Sequence, residues 1–235
     1  MLLEVREIDT YYGIFQATFK VSLVLDQGEV VCILGRNGAG KTTTLTSIIG
    51  LNRPKSGQIT FKGQEITAKK PYQIVRLGIG FIPEDRWIFS ELTVRENLEL
   101  GSRKTERENS RIGLERVYEL FPQLKALENQ NGGTLSGGEQ QMLTVGRTLM
   151  GNPELILLDE PTAGLAPLVA QLLGDQIRKL KAEGLTILLT EQNALFAMHI
   201  SNRAYVIDKG AIVYEGDVSR LRENEEMMKG YLWVS

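Results

Sequence analysis

The sequence predicts an α/β fold with a mostly parallel sheet, a small antiparallel β part near the N-terminus and an inserted α-helical lobe. Three observations lead to this prediction. Apolar runs of strand length alternate with helical stretches, which is typical of parallel sheets. Residues 18–26 alternate apolar and polar side chains, while residues 85–150 are helical in character. The 235 residues suffice for one domain with a full core.

The elements are expected in a fixed order along the chain. The first part contains strands at 2–9, 18–26 and 29–34, a helix from 42 to about 51, a strand at 58–62, a helix at 71–77 and a strand at 78–83. The second part contains helices at 93–100 and 103–119, a helix after 136, a strand at 155–158, a helix at 167–182, a strand at 185–190, a hairpin at 204–208 and 211–215, and a helical tail at 217–235. The single domain at 1–235 is therefore expected to have a core of 1–84 and 151–216, a helical lobe at 85–150 and a tail at 217–235.

Composition narrows the class of protein. A net charge of -2 and a pI near 5.7 argue against electrostatic binding of nucleic acid. The single cysteine, Cys32, excludes an internal disulfide and suits a reducing cytosol. No apolar run is long enough to span a bilayer, and Met1-Leu2-Leu3-Glu4 does not open a signal peptide.

The segment Gly35–Thr42 fits the pattern G-x-x-x-x-G-K-[ST], in which backbone N–H groups close around phosphate oxygens. An apolar strand precedes it and a helix follows it, as the pattern requires. Lys41 is expected to contact the β- and γ-phosphates, and the Thr42 hydroxyl to ligate Mg²⁺. The predicted nucleotide-binding residues here are Gly35, Arg36, Asn37, Gly38, Ala39, Gly40, Lys41, Thr42 and Thr43.

A second apolar strand, Leu155–Leu158, ends in Asp159 and Glu160. Strands often end in acidic turns, so this pattern is informative only together with the phosphate loop. In that combination, Asp159 is expected to hold Mg²⁺ and Glu160 to act as the base that polarises the attacking water.

The segment Leu135–Gln141 has two interpretations. Ser136 and Glu139 form an S-x-x-E capping box at the start of a helix. Gly137 and Gly138 fit that interpretation poorly, because glycine weakens a helix by about 1 kcal/mol relative to alanine. They suit close approach to an anion, so Ser136, Gly137, Gly138 and Glu139 are expected to face the nucleotide of another subunit.

Together, in this order and spacing, the three motifs resemble those of the ATP-binding subunit of ABC transporters, over nearly the whole chain. Within that family, the chain looks closest to the smaller ATPase subunit of branched-chain amino-acid importers. This closer resemblance lies in the segments 82–86, 93–98, 162–167 and 191–193. The resemblance implies a phosphate-loop NTPase core that hydrolyses ATP to ADP and phosphate, with ATP and Mg²⁺ as cofactors. It also implies a second ATPase subunit, identical or different, two integral-membrane permease subunits and, indirectly, a solute-binding protein. No nucleic-acid partner is expected, and the location implied is the cytoplasmic face of the cell membrane.

The resemblance assigns further residues. Tyr12 falls where an aromatic side chain stacks on adenine, although a packed tyrosine at a strand end would look the same. Glu84 stands where most members have a glutamine that touches Mg²⁺, and Gln192 stands where many carry a catalytic histidine. Ala166 replaces the usual aspartate after the base. Trp87 suits either an interface with membrane subunits or the core.

His199 is interpreted as a surface or packing residue. Two other classes of protein stay open at this point. A soluble ABC ATPase acting on nucleic acid or the ribosome would carry a coiled-coil insertion or a basic face, and a kinase or GTP switch could use the same phosphate loop. The solute is also open, because the permeases and the binding protein select it; the resemblance favours branched-chain amino acids, and related amides or urea are the alternatives.

Overall fold

The computed structural model describes residues 1–102 and 112–232. The strands are β1 (Leu3–Tyr12), β2 (Phe15–Leu25), β3 (Val30–Leu34), β4 (Ser56–Phe61), β5 (Gln64–Glu65), β6 (Ile79–Ile82), β7 (Leu155–Asp159), β8 (Thr186–Glu191), β9 (Arg203–Asp208) and β10 (Ala211–Asp217). The helices are α1 (Lys41–Ile48), α2 (Pro71–Leu77), α3 (Val94–Gly101), α4 (Leu114–Leu120), α5 (Pro122–Ala126), α6 (Gly137–Met150), α7 (Pro167–Ala182), α8 (Ala194–Ile200), α9 (Val218–Glu223) and α10 (Glu225–Met227). A 3₁₀ turn lies at Gly132–Thr134 and a π-helical turn at Met228–Leu232.

Two sheets organise the chain. The larger has the order β10-β9-β3-β8-β7-β6 and is parallel except for β10, which pairs with β9 in the closing hairpin. The smaller is antiparallel, with the order β2-β1-β4-β5. Because β3, β8 and β7 are adjacent and parallel, their carboxyl ends meet at one edge, where ligands bind in open α/β sheets.

The larger sheet is covered on both faces. Along β3, Val31 and Ile33 pack with the antiparallel sheet and α1, whereas Val30, Cys32 and Leu34 pack with the helices of the opposite layer. Burial on both faces explains why this strand is a continuous apolar run rather than an alternating one. The pKa of the Cys32 thiol is raised to about 12 by burial, which fits the inert thiol of a core residue.

The helices between β6 and β7 pack tightly on one another. A side chain at Gly146 in α6 would lie 2.8 Å from Val117 in α4, and one at Gly101 in α3 would lie 2.0 Å from the carbonyl oxygen of Arg147. Thr93 and Glu96 form the predicted capping box of α3. The glycines therefore let three helices approach closely, which fixes the position of α6.

The predicted fold class is confirmed, with some shifts in element boundaries. β1 continues to Tyr12 and β2 begins at Phe15, since the tight turn between them extends the hairpin ladder. Residues 103–111 of the charged helix predicted at 103–119 lie outside the described residues, and α4 begins at Leu114. The division into core, lobe and tail stays a prediction. Within residues 1–102 and 112–232, no helix combines the length and apolar character needed to cross a membrane.

Candidate functional site

The phosphate loop lies at the carboxyl end of β3 and leads directly into α1. Gly40, immediately before α1, has φ +109°, a conformation that glycine adopts without the steric cost of a Cβ. A side chain at Gly35 would lie 2.4 Å from the carbonyl oxygen of Ile207 in β9. The hairpin turn supports the loop from outside, because Gly210 donates its N–H to the Ala39 carbonyl at 2.8 Å. The loop is thus held by its neighbours in a shape that only these glycines permit.

Lys41 is the buried cation of the loop, only 3% exposed. Its ammonium group donates to the carbonyl oxygens of Gly35 at 2.9 Å and Arg36 at 3.1 Å. It also pairs with Glu160, with 2.9 Å between Nζ and Oε1. The predicted phosphate ligand and the predicted base therefore lie side by side, although they come from separate motifs.

Asp159 lies at the tip of β7 and is almost fully buried. Its Oδ1 accepts hydrogen bonds from the Thr42 hydroxyl at 3.1 Å and from the Thr190 hydroxyl at 2.5 Å. Burial raises the pKa of this carboxyl, and the two hydroxyl donors oppose that effect. Thr42 and Asp159 therefore lie next to each other beside the phosphate loop, and their role as Mg²⁺ ligands stays a prediction.

Glu160 has a left-handed backbone, with φ +40°, just beyond the strand. Its N–H donates to the Thr190 carbonyl at 3.1 Å and to the Thr190 hydroxyl at 3.0 Å. These contacts fix a backbone conformation that a non-glycine residue adopts at a cost of about 1–2 kcal/mol. The turn directs the side chain back to Lys41.

Glu84 follows β6 on the far side of β7 and contributes a third carboxylate. Its pKa is raised, first by loss of solvation and then by repulsion from Glu160, Asp159 and Asp85. The carboxylates of Glu84, Glu160, Asp159 and Asp85 therefore share one electrostatic environment. A divalent cation would relieve the repulsion, so the donor set fits Mg²⁺.

No group of three or more His, Cys, Asp or Glu side chains in residues 1–102 and 112–232 is arranged to hold a metal by itself.

Ser136 caps α6 as the capping-box interpretation requires. Its N–H and hydroxyl both contact Glu139 Oε2 at 2.7 Å, and the Glu139 N–H returns to the Ser136 oxygen at 3.4 Å. Gly137 and Gly138 have a packing role as well. Added side chains there would lie 2.6 Å from Arg86 Nη1 and 2.7 Å from Val169 Cγ1 in α7. Close packing within the chain therefore accounts for both glycines, and their role toward a second nucleotide stays a prediction.

The other residues singled out from the sequence are exposed. Tyr12 is 52% exposed at the end of β1, and Gln192 is exposed directly after β8. Trp87 is 55% exposed and contacts Phe81 edge to face at 6.1 Å, so it is not a core residue. His199 is exposed in α8 and contacts Arg178, as a surface residue would.

Two residues at this edge, Glu191 and Arg86, were given no role by the sequence analysis. Glu191, at the end of β8, accepts hydrogen bonds from the N–H and hydroxyl of Thr162 at 3.0 and 2.7 Å. It is 2% exposed, and burial raises its pKa. Arg86 donates to the Ala163 carbonyl at 3.1 Å. The sequence contained a signal for Glu191, because it directly follows a predicted strand and the ends of neighbouring parallel strands meet at one edge. It contained no comparable signal for Arg86.

Comparison with known proteins gives consistent results. A family model described as "ABC transporter" matches residues 19–163. The chain is 42% identical to the high-affinity branched-chain amino acid transport ATP-binding protein BraG of Pseudomonas aeruginosa, over 98% of this chain and 99% of that protein. It is 36% identical to the probable branched-chain amino acid transport ATP-binding protein LivF of Archaeoglobus fulgidus, over 97% of each.

The chain is also 34% identical to the lipopolysaccharide export system ATP-binding protein LptB of Haemophilus influenzae, over 90% of this chain and 89% of that protein. Among solved structures, a nucleotide-free ATP-binding cassette from an ABC transporter superimposes with a TM-score of 0.83 at 28% identity, covering 100% and 99% of the two chains. The ADP conformation of the cassette MJ1267 superimposes with a TM-score of 0.81 at 28% identity, covering 97% of each.

Proposed function

This chain belongs to the ATP-binding, ATP-hydrolysing subunits of ABC transporters, and on that premise we propose that it powers an importer of branched-chain amino acids. The observation that carries the choice of solute is the similarity to BraG along the whole chain. The observation that carries the chemistry is the contact between Lys41 and Glu160 beside the Thr42–Asp159 pair. These two observations support the proposal that ATP is hydrolysed at this edge of the parallel sheet.

Each group at this edge has a separate task. The backbone N–H groups of 35–43 bind the phosphates, and Lys41 places a positive charge beside them. Tyr12 stacks on the adenine. Thr42, Asp159 and Glu84 hold Mg²⁺, which supplies charge neutralisation for the phosphate oxygens when bound.

Glu160 acts as the base. One of its carboxylate oxygens accepts the proton of the attacking water, and the Lys41 ammonium beside it stabilises the negative charge of the carboxylate before the transfer. Gln192, exposed after β8, donates a hydrogen bond toward the terminal phosphate. Since glutamine does not titrate near neutral pH, it orients and does not transfer a proton.

The second ATPase subunit completes the site. Ser136 is exposed at the N-terminus of the fourteen-residue helix α6, where the backbone N–H groups and the helix dipole favour an anion. The phosphate loop already surrounds a nucleotide from its own chain. We therefore assign Ser136, Gly137, Gly138 and Glu139 to the nucleotide of the partner ATPase, whether that partner is identical or different.

A groove between α2 and β6 on one side and α3 and α6 on the other suits the membrane subunits. It has a volume of about 820 Å³, and its lining includes Trp87, Phe89, Leu100, Phe81, Pro153 and Arg147. Large apolar side chains at its rim are half exposed, as at docking sites. Arg147 fixes this rim, since it donates to the Trp87 carbonyl and lies 5.1 Å from the centre of the Phe89 ring. The occupant we propose is a cytoplasmic amphipathic helix of a permease subunit, which places the chain at the cytoplasmic face of the membrane.

The relative from a lipopolysaccharide export system makes an exporter the second candidate. The two candidates differ in the direction of transport and in the partners. The intact complex is isolated from membranes through a tag on this chain, and its subunits are identified by mass spectrometry. Labelled leucine uptake is then measured in proteoliposomes with ATP on the side of the ATPase, supplied with the solute-binding protein that accompanies the complex.

We expect two permease subunits in the complex and ATP-dependent leucine accumulation that Glu160→Gln abolishes. Co-purification with lipopolysaccharide-binding subunits, together with no leucine transport, would contradict the importer assignment. Glu223→Gln, which changes an exposed glutamate in α9, serves as the matched control.

A further inference from the structure

The backbone of Arg86 has an unusual conformation and is hydrogen-bonded to α6. It lies two residues after Glu84 and has φ +60°, in the left-handed region that non-glycine residues rarely adopt. The Thr144 hydroxyl of α6 donates to the Arg86 carbonyl at 2.6 Å, and the Arg86 N–H donates to the Pro83 carbonyl at 3.3 Å. The backbone of Arg86 is therefore tied both to the end of β6 and to α6.

The side chain of Arg86 reaches two other parts of the site. Its Nη2 donates to the Ala163 carbonyl at 3.1 Å, in the loop that follows Glu160. Its Nη1 lies against Gly137 so closely that an added Cβ there would be 2.6 Å away. Among the residues that the structure describes, no ion pair joins Arg86 to a carboxylate. The guanidinium thus donates a hydrogen bond to the backbone of Ala163 on one side and packs against the backbone of Gly137 on the other.

The loop after the base is also held from its other side. Glu191 accepts two hydrogen bonds from Thr162, the residue that precedes Ala163. One end of the loop is therefore fixed to β8, close to Gln192, and the next residue is fixed to Arg86. A shift of the segment after Glu84 would be passed to Ala163 through the planar, multiply hydrogen-bonding guanidinium.

We propose that Arg86 is a positioning residue for ATP hydrolysis, which couples the segment after Glu84 to the loop after Glu160 and to the start of α6. The inference rests on the proposed ATPase function and goes beyond it, because Arg86 acts through backbone and does not contact the nucleotide. The permease contacts the groove and displaces Trp87, which directly follows Arg86 in the chain. Arg86 then passes this displacement to the loop after Glu160 and so changes the position of the base.

The test measures hydrolysis and nucleotide binding separately, in the intact transport complex. Arg86→Ala removes both contacts, and Arg86→Met keeps the length of the side chain without its donors. For both variants we expect kcat to fall at least tenfold, with KM and the affinity for a fluorescent ATP analogue unchanged within twofold. A merely structural defect would also weaken nucleotide binding and lower the midpoint temperature of thermal unfolding. Arg6→Ala, at an exposed arginine in β1, is the control and should hydrolyse ATP normally.

A double substitution tests the contact with α6. Gly137→Ala should lower kcat when Arg86 is present, because the new methyl group displaces the guanidinium. In the Arg86→Ala background the same change should lower kcat by a smaller factor, which leaves only its effect on the partner nucleotide to which Gly137 is also assigned. An equal loss in both backgrounds would show that the space at Gly137 serves another purpose and would overturn the coupling to α6.

The outcomes separate this inference from the proposed function. If Arg86→Ala and Arg86→Met retain kcat within twofold while Glu160→Gln is inactive, Arg86 has no positioning role and the ATPase assignment stands. Normal turnover by Glu160→Gln would instead contradict the proposed function, and the role of Arg86 with it.

Discussion

Replacing Glu191 with glutamine measures what it costs the fold to keep this carboxyl in the interior. Oε1 accepts both hydrogen bonds from Thr162, at 3.0 and 2.7 Å, whereas Oε2 accepts only the Asn193 N–H at 3.3 Å. A glutamine carbonyl can keep the first two bonds. The third is weak, so its loss costs no more than about 1 kcal/mol. The substitution therefore changes the charge and leaves most of the local geometry intact.

The sign of the pH dependence follows from the direction of the pKa shift. Burial raises the folded-state pKa of Glu191 above its ordinary value of 4.5. The folded protein then binds more protons than the unfolded chain between 4.5 and the folded-state pKa, so the free energy of unfolding falls as the pH rises through this window. The slope for one proton is at most about 1.36 kcal/mol per pH unit. Glu191→Gln lacks this proton and lacks the slope.

The assay is urea unfolding of wild type and Glu191→Gln at several values from pH 5 to pH 8, at constant ionic strength. We expect the stability of the variant relative to wild type to increase with pH, because only wild type loses stability through the titration of Glu191. Other carboxyls with a raised pKa, such as Asp159, are present in both proteins and cancel in the difference. Glu223→Gln, which removes an exposed carboxylate in α9, is the control for the loss of one negative charge. A difference that is flat or falls with pH would refute the conclusion that burial of this charge opposes folding. Glu191→Ala should instead be less stable by about 1–3 kcal/mol for each Thr162 donor left unpaired.

Further predictions concern the phosphate loop, the base and the groove. Lys41→Ala should weaken ATP binding by roughly 10- to 150-fold, the equivalent of about 1.5–3 kcal/mol for a charged hydrogen bond, as measured by titration calorimetry. Glu160→Gln should bind ATP with unchanged affinity but hydrolyse it about 10²- to 10⁴-fold more slowly in a phosphate-release assay, and should accumulate as an ATP-bound dimer on gel filtration. Trp87→Ala should weaken assembly with the permease by about 2 kcal/mol, roughly 30-fold, without changing the affinity of the free chain for ATP; unaltered assembly would remove Trp87 from the interface.

The local parts of the site were accessible from the sequence because each is encoded by consecutive residues. The loop Gly35–Thr42 needs a strand before it, glycines within it and a helix after it, and the structure has all three. The same holds for the capping box of Ser136 and Glu139, which closes within four residues. The alternation of apolar and polar side chains at residues 18–26 likewise predicted a strand, and the structure has β2 there.

The expectation for Gly137 and Gly138 was incomplete for a physical reason. Glycine in a first helical turn indicates that something approaches the backbone closely, but sequence does not say what approaches. The structure places Arg86 and Val169 against these two positions, from segments far away along the chain. The sequence-based interpretation considered only an external anion.

The sequence by itself determined the fold class, the phosphate loop, the acidic strand end and the family, because these depend on short patterns whose residues are neighbours in the chain. Only the tertiary structure decided that Lys41 pairs with Glu160, that Glu191 holds Thr162, and that Arg86 joins the loop after the base to α6. These pairs are separated by 119, 29 and 77 residues, respectively, so no local pattern records them. They arise because parallel strands bring their carboxyl ends to one edge, where buried charged groups can bind one another instead of water.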